Sequence, residues 1–250
     1  ADHQALNGSE IVQAGDRLLH RHPQTIEPDV AGNVDVLYED EALVVLNKPA
    51  PLPMHAGGRY TRNTLQHVLD EVYWPQKLRP SHRLDANTTG LVIAARSKHF
   101  AGRVQKQFAA GQVEKIYLVR VQGHPAQDEF RCDAPIGKEA SVSGTREVDE
   151  QDGDCATTLF KVMERSSDGI SLLEARPLTG RTNQIRIHCA HLGFAVVGDE
   201  AYGTGEDAPR LTKQVGEPPL CLHAWKIAFA HPASGERMTF TAPAPEWAKR

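Results

Sequence analysis

The sequence predicts an α+β domain built on a mixed, mainly antiparallel sheet. Three observations carry that prediction: strand-like runs outnumber helical ones, several neighbouring runs are joined by connections short enough for hairpins, and no regular β-α-β alternation or internal repeat occurs. In chain order, Asn7-Gly8 and Gly15-Asp16 mark turns around the short apolar run Glu10-Ile11-Val12, and Pro23, Pro28 and Gly32 read as a linker. Val36-Leu37-Tyr38 and the run 42–46 are strand-like and flank the acidic turn Glu39-Asp40-Glu41. Pro49, Pro51 and Pro53 then exclude a helix. A helix is predicted over 64–72, with Leu65, Val68, Leu69 and Val72 on one face and Asn63 as its cap. Residues 91–95 read as a buried strand. Ser97 caps a second helix in which Phe100, Val104 and Phe108 recur at every fourth position, and Gly111 closes it. The opposite face of that helix offers Lys98, Arg103 and Lys106. Strands are predicted at 116–121, 157–162 and 170–175, a helix at 183–192 stopped by Gly193, and short strands at 194–197, 222–229 and 238–241.

With 40% hydrophobic and 24% charged residues, the 250-residue chain has the balance of a soluble globular protein. No stretch approaches the roughly 18–20 apolar residues of a membrane span. The opening Ala1-Asp2-His3-Gln4 lacks the basic and then apolar regions of a signal peptide. Cys132, Cys155, Cys189 and Cys221 are widely spaced with no C-x-x-C, so reduced thiols in a cytoplasmic protein are expected. The formal net charge of -4 argues against a general polyanion binder. The charge is unevenly placed, however. Residues 77–120 carry nine basic side chains against two acidic, whereas 128–154 carry nine acidic against three basic. A local basic region can bind RNA phosphates whatever the total charge; a solvated helix face is the plainer alternative.

Two polar segments are candidates for chemistry. Residues 80–90 form a loop feeding the apolar strand, and within it Asp85 sits among Asn87, Thr88 and Thr89, which can donate hydrogen bonds. Taken alone, such an aspartate is more often a turn or capping residue. In the segment 179–188, Arg181 and Arg186 lie five apart at a helix start, and Arg186 falls in the first turn, where the macrodipole disfavours a cation. Either an anionic partner or a salt bridge to an acidic neighbour accounts for it. His188, His191, Cys221 and His223 invite a zinc reading, but without H-E-x-x-H or paired C-x-x-C the spacing matches no common site. Neither a Walker loop nor a G-x-G-x-x-G after a strand occurs, so no nucleotide cofactor is expected.

Together these pieces fall into one order: Lys48-Pro49-Ala50; His82-Arg83-Leu84-Asp85 with Thr88-Thr89-Gly90; Val113-Glu114-Lys115-Ile116-Tyr117; the run from Thr179 to His188; Val197-Gly198-Asp199; Leu222-His223-Ala224; and His231-Pro232. Over about 34–245 the chain resembles the RluA family of pseudouridine synthases. The resemblance implies isomerisation of uridine in structured ribosomal or transfer RNA. From the residues themselves no cofactor, no membrane association and no obligate protein partner are expected, and a monomer is the default. The resemblance implies that Asp85 is the essential carboxylate, that Arg186 pairs with it to keep it ionised against burial, and that Tyr117 stacks on the uracil and helps take the proton from carbon 5. Arg83 is expected to fill the place of the flipped base. Further RNA contacts are expected from His82, Arg103, Lys106, Lys115 and Arg181. The chain departs from the family pattern at Pro51 (usually Gly), at Ala86-Asn87-Thr88-Thr89 (commonly Lys-Asp-Thr-Ser) and at Asn183 (often His). Residues 1–30 are read as a linker or the remnant of an RNA-binding domain, and 31–250 as the catalytic domain. Two rivals stay open: a non-catalytic RNA-binding module of the same fold, and a metal-dependent hydrolase.

Overall fold

The computed structural model describes residues 11, 13, 26–140, 145–203 and 212–249. Among them, ten strands form one sheet: β1 (Asp35–Glu39), β2 (Leu43–Lys48), β3 (Arg79–Pro80), β4 (Thr89–Ala95), β5 (Glu114–Gln122), β6 (Glu129–Cys132), β7 (Thr158–Arg165), β8 (Ile170–Pro177), β9 (Leu222–Ala230) and β10 (Arg237–Thr241). Helices α1 (Leu65–Val72), α2 (Lys98–Ala109) and α3 (Gln184–His191) cover it. The strand order is β1-β2-β4-β9-β5-β8-β7-β6, with β3 on β4 and β10 on β9. All described strand pairs are antiparallel except β4 with β9, which run parallel where Thr89 faces His223 and Gly90 faces Ala224. The architecture is therefore the mixed, mainly antiparallel α+β arrangement that the sequence predicts.

The apolar runs of β2 and β4 lack alternation because both faces are covered. Leu43, Val45, Leu91 and Ile93 pack under α2 through Ala101 and Val104. On the other face, Val44, Leu46 and Val92 meet Leu65 and Leu69 of α1 together with Leu52 and Leu84. In the second half of the sheet, Ile185 and Cys189 of α3 lie on Val119, Val121, Phe160 and Leu173. Each fully buried leucine or valine contributes ~1.5–3 kcal/mol, so the strands framing the β4–β9 junction have the firmest backing. Gly90 is required at that junction. Its φ is 109°, and a Cβ there would lie 2.3 Å from the Ala224 carbonyl oxygen.

Several expectations need correction. Thr64, not Asn63, caps α1, its Oγ1 accepting the His67 N–H at 3.2 Å. Asn63 instead donates from Nδ2 to the Pro28 carbonyl at 2.7 Å. The segment 194–197 is not a strand; Val196 alone bridges to Val121. The short strands β3 and β6 had no clear signal in the sequence. Of the segment 1–30, only Ile11, Gln13 and 26–30 are described, so its reading as a domain remnant lies outside the described residues.

Candidate active site

Beside the β4–β9 junction lies a cavity of about 530 Å³, within the usual size range of small-molecule sites. Asp85, Tyr117 and Arg186 all line it, although they come from the loop before β4, from β5 and from α3. His82, Arg83, Lys115 and Arg181 line it too.

The Asp85 loop is fixed from behind. The Asp85 carbonyl accepts the Thr88 N–H at 3.1 Å, and the Ala86 carbonyl accepts the Leu52 N–H at 2.9 Å. Lys48 passes underneath with 0% exposure and donates from Nζ to the carbonyls of Pro49 (2.9 Å), Leu52 (2.9 Å) and Ala86 (3.1 Å). All three ammonium protons are thereby used. Burial pulls Lys48 down to about 7, and the Asp85 charge works against that fall. The sequence placed Lys48 in the family pattern without assigning it a role. At the start of β4, Thr89 Oγ1 lies 2.7 Å from His223 Nδ1. What remains of Asp85 is a side chain 24% exposed to the cavity.

Arg186 is held much more tightly. Its Nε and Nη2 donate to the two oxygens of Asp199 at 2.7 Å each, and Nη1 donates to Asn183 Oδ1 at 3.1 Å. The guanidinium also lies 4.8 Å from the centre of the Tyr202 ring. Its Nη1 is 3.8 Å from Asp85, an ion pair longer than a hydrogen bond. Of the two sequence interpretations of Arg186, the salt bridge to acidic neighbours is the one seen, with Asp199 and, at longer range, Asp85. In the sequence Asp199 stands out only as part of a motif, because nothing in the twelve intervening positions signals that the loop returns to α3. Gly198 permits that return, since its φ is 78° and a Cβ would lie 2.1 Å from the Pro219 carbonyl oxygen. Asn183 sits at φ 57°, a left-handed conformation that asparagine tolerates better than most residues. Its Nδ2 donates to the Tyr202 hydroxyl at 3.0 Å.

Gln184, also unassigned in the sequence, bolts the arginine-bearing loop to β7. Its Oε1 accepts from the Thr179 hydroxyl (2.7 Å) and the Arg181 N–H (3.0 Å), while Nε2 donates to the Thr157 carbonyl (2.9 Å) and Thr158 Oγ1 (3.0 Å). Every site of this buried amide is occupied.

Tyr117 is half-buried, and burial raises its phenol pKa, with the Asp85 charge adding to the rise. It stays protonated and is a poor base. Lys115 donates to the Thr179 carbonyl at 2.9 Å, and burial brings it down to about 8. His82, expected to contact RNA, lines the cavity as a half-buried ring. Burial, reinforced by the Lys115 charge, pulls it down to about 4, its Nε2 accepts the Ile93 N–H at 3.1 Å, and its ring stacks on Phe108 at 4.7 Å. It braces the loop and brings no positive charge to a phosphate. Arg103 and Lys106 are exposed on α2 but do not line the cavity. Arg181 reaches the rim with its head turned to Asp154 (3.3 Å) and the Cys155 carbonyl (3.1 Å).

The histidines and cysteine of the zinc reading do not converge: among the described residues no group of three or more potential metal ligands forms. His188 instead lies 2.9 Å from Thr158 Oγ1 and 3.0 Å from the Ala134 carbonyl oxygen.

A family profile described as RNA pseudouridylate synthase matches residues 42–191. The chain is 33% identical over 256 residues to an uncharacterized RNA pseudouridine synthase of Bacillus subtilis, YlyB, covering 96% of this chain and 82% of that protein. It is also 33% identical over 256 residues to the ribosomal large subunit pseudouridine synthase C of Escherichia coli, covering 97% and 78%. A solved structure of human RNA pseudouridylate synthase domain containing 1 matches with a TM-score of 0.70 at 29% identity, over 88% of this chain and 87% of that one.

Proposed function

The chain belongs to the RluA family of RNA pseudouridine synthases, and from that premise we propose that it isomerises a uridine of ribosomal RNA with Asp85 as the reacting carboxylate. The enzyme class, an isomerase acting on uridine in RNA, follows from the family. The choice of ribosomal RNA is supported by the named role of the Escherichia coli relative. The assignment of Asp85 is supported above all by its meeting Arg186 and Tyr117 in one cavity. The catalytic unit proposed is 31–250, and the four unpaired thiols favour a reducing cytoplasm.

In the reaction the bond from C1′ of the ribose to N1 of uracil breaks, the base turns, and C5 bonds to C1′. The proton lost from C5 is matched by one gained at N1, so the product is an isomer. Asp85 either adds to C1′ as N1 leaves and is displaced when C5 bonds there, or removes a ribose proton and returns it; both acts need the anion. Arg186 stands 3.8 Å from that carboxylate, and Asp199 and Asn183 prevent the guanidinium from swinging away. A protonated Tyr117 suits stacking on the uracil better than removal of the C5 proton. The target base has to leave its stack at a cost of a few kcal/mol, and the part of filling the gap falls to Arg83, a reading supported by its exposure at the cavity rim.

Ribosomal RNA from a host strain lacking the gene, labelled with tritium at C5 of uracil, tests the proposal. The wild-type chain should release tritium, and Asp85→Asn should lower the rate by at least ~10²–10⁴-fold, the range for a positioned proton-transfer group. Undiminished release by Asp85→Asn would remove its assignment. Release from transfer RNA alone would overturn the choice of RNA.

A further inference from the structure

We infer that the RNA strand adjoining the target nucleotide runs along a basic trough between α2 and the segment 77–84, from the Asp85 cavity towards Lys98. This rests on the Asp85 cavity being where the uridine reacts. A second cavity, of about 390 Å³, meets the first at Gln105, which lines both. Residues 77–80 wall the second cavity and 81–85 the first, so one stretch of chain forms a continuous side. Lys98, Ala101, Gln105 and Phe108 of α2 form the other side. They are spaced three and four apart, which places them on one helix face. At 1.5 Å per residue this face extends for roughly 15 Å, longer than a pocket for a single nucleoside requires.

Charge points to the occupant. Lys77, Arg79 and Lys98 are exposed along the second cavity, and among the described residues none of them is in an ion pair. Some exposed cations elsewhere are partnered: Arg131 with Asp133, Lys161 with Glu129 and Arg237 with Glu114. Others, such as Arg103 and Lys106, are in no ion pair among the described residues but line neither cavity. One carboxylate, Asp70, enters the trough, and it is occupied by the Gln66 amide at 2.9 Å. A row of uncompensated cations leading into a cavity fits a phosphodiester strand. Arg103 is not part of the row, since five residues beyond Lys98 puts it roughly 140° around the helix.

The test compares two triple variants with the same change in net charge, using as probe a 30-nucleotide RNA hairpin with a uridine-rich loop, bound at several salt concentrations. Lys77→Gln/Arg79→Gln/Lys98→Gln should flatten the dependence of log affinity on log salt by about 2, at ~0.7 per lost contact to a single strand. Arg131→Gln/Lys161→Gln/Arg237→Gln should retain the wild-type slope. A wild-type slope in the trough variant, an equal loss in both variants, or wild-type binding that ignores salt would each overturn the inference. Steep wild-type binding that the trough variant flattens, with no tritium released by the wild type from host ribosomal or transfer RNA, would break the proposed reaction and leave the trough standing as an RNA surface.

Discussion

Arg186, in the first turn of α3, and Lys48, at the end of β2, both feel the charge of Asp85. Arg186 meets two carboxylates and is gripped by Asp199, whereas Lys48 meets only carbonyl oxygens and is pulled down to about 7. A guanidinium keeps its charge when buried; an amine gives its charge up once desolvation outweighs its partners. The difference divides the labour around Asp85. The α3 wall supplies a permanent cation, and the β2 wall supplies a fixed backbone.

The most severe way to break that contrast is Arg186→Met. It strands the Asp199 carboxylate, whose side chain has 0% exposure, without its counter-charge. Loss of one partner of a buried pair costs about 3–5 kcal/mol, which calorimetry should record as a fall in Tm on the order of ten degrees. Tritium release should vanish as well. Adding Asp199→Asn should recover at least half of the lost stability without any activity, because the two positions share one interaction. An active double variant would show that Arg186 serves folding alone.

How much of this contrast was visible in the sequence depends on distance along the chain. The runs in β2 and β4, and the Ser97 cap of α2, are local patterns and were legible. Asp85, Tyr117 and Arg186, which the fold brings into one cavity, could be singled out because their motifs are short and ordered. The support beneath them was not. Lys48 looks like any lysine until the chain folds over it, and the Asp199 grip spans thirteen residues through a turn that only Gly198 allows. The bracing part of His82 was not legible either, because the Ile93 N–H that its Nε2 accepts lies eleven residues further on. The strand β6 is four residues long at the sheet edge, too short for its alternation to stand out.

Lys48 offers a second, smaller test through pH. Its folded value of about 7 lies below the ordinary lysine value of 10.5. Between those two values the unfolded chain holds the extra proton, so the Lys48 contribution to stability rises with pH across that window. It is least favourable below about 7, where a full charge stays buried. The stability difference between wild type and Lys48→Met should therefore shift towards wild type from pH 7 to 9, with a slope approaching ~1.4 kcal/mol per pH unit. Denaturant titrations at a series of pH values measure it. A difference that is flat with pH would mean that Lys48 keeps its proton, as Arg186 does, and the contrast between the two walls would collapse.

Lys115 lies between these extremes and sharpens the comparison at the RNA itself. It is an amine on the cavity wall, half-buried, with one carbonyl partner, and burial holds it near 8. Its charge should thus be present at pH 7 and mostly absent at pH 9. If that charge meets a phosphate, the salt slope of hairpin binding should fall by about 0.7 between those pH values, the weight of one contact to a single strand. Lys115→Arg should hold the higher slope at both, because a guanidinium does not titrate there. Lys115→Gln should show the lower slope at both. A wild-type slope indifferent to pH would place Lys115 with Lys48, as a brace for the Thr179 carbonyl, and would leave RNA contact at this wall to Arg83 and the trough cations.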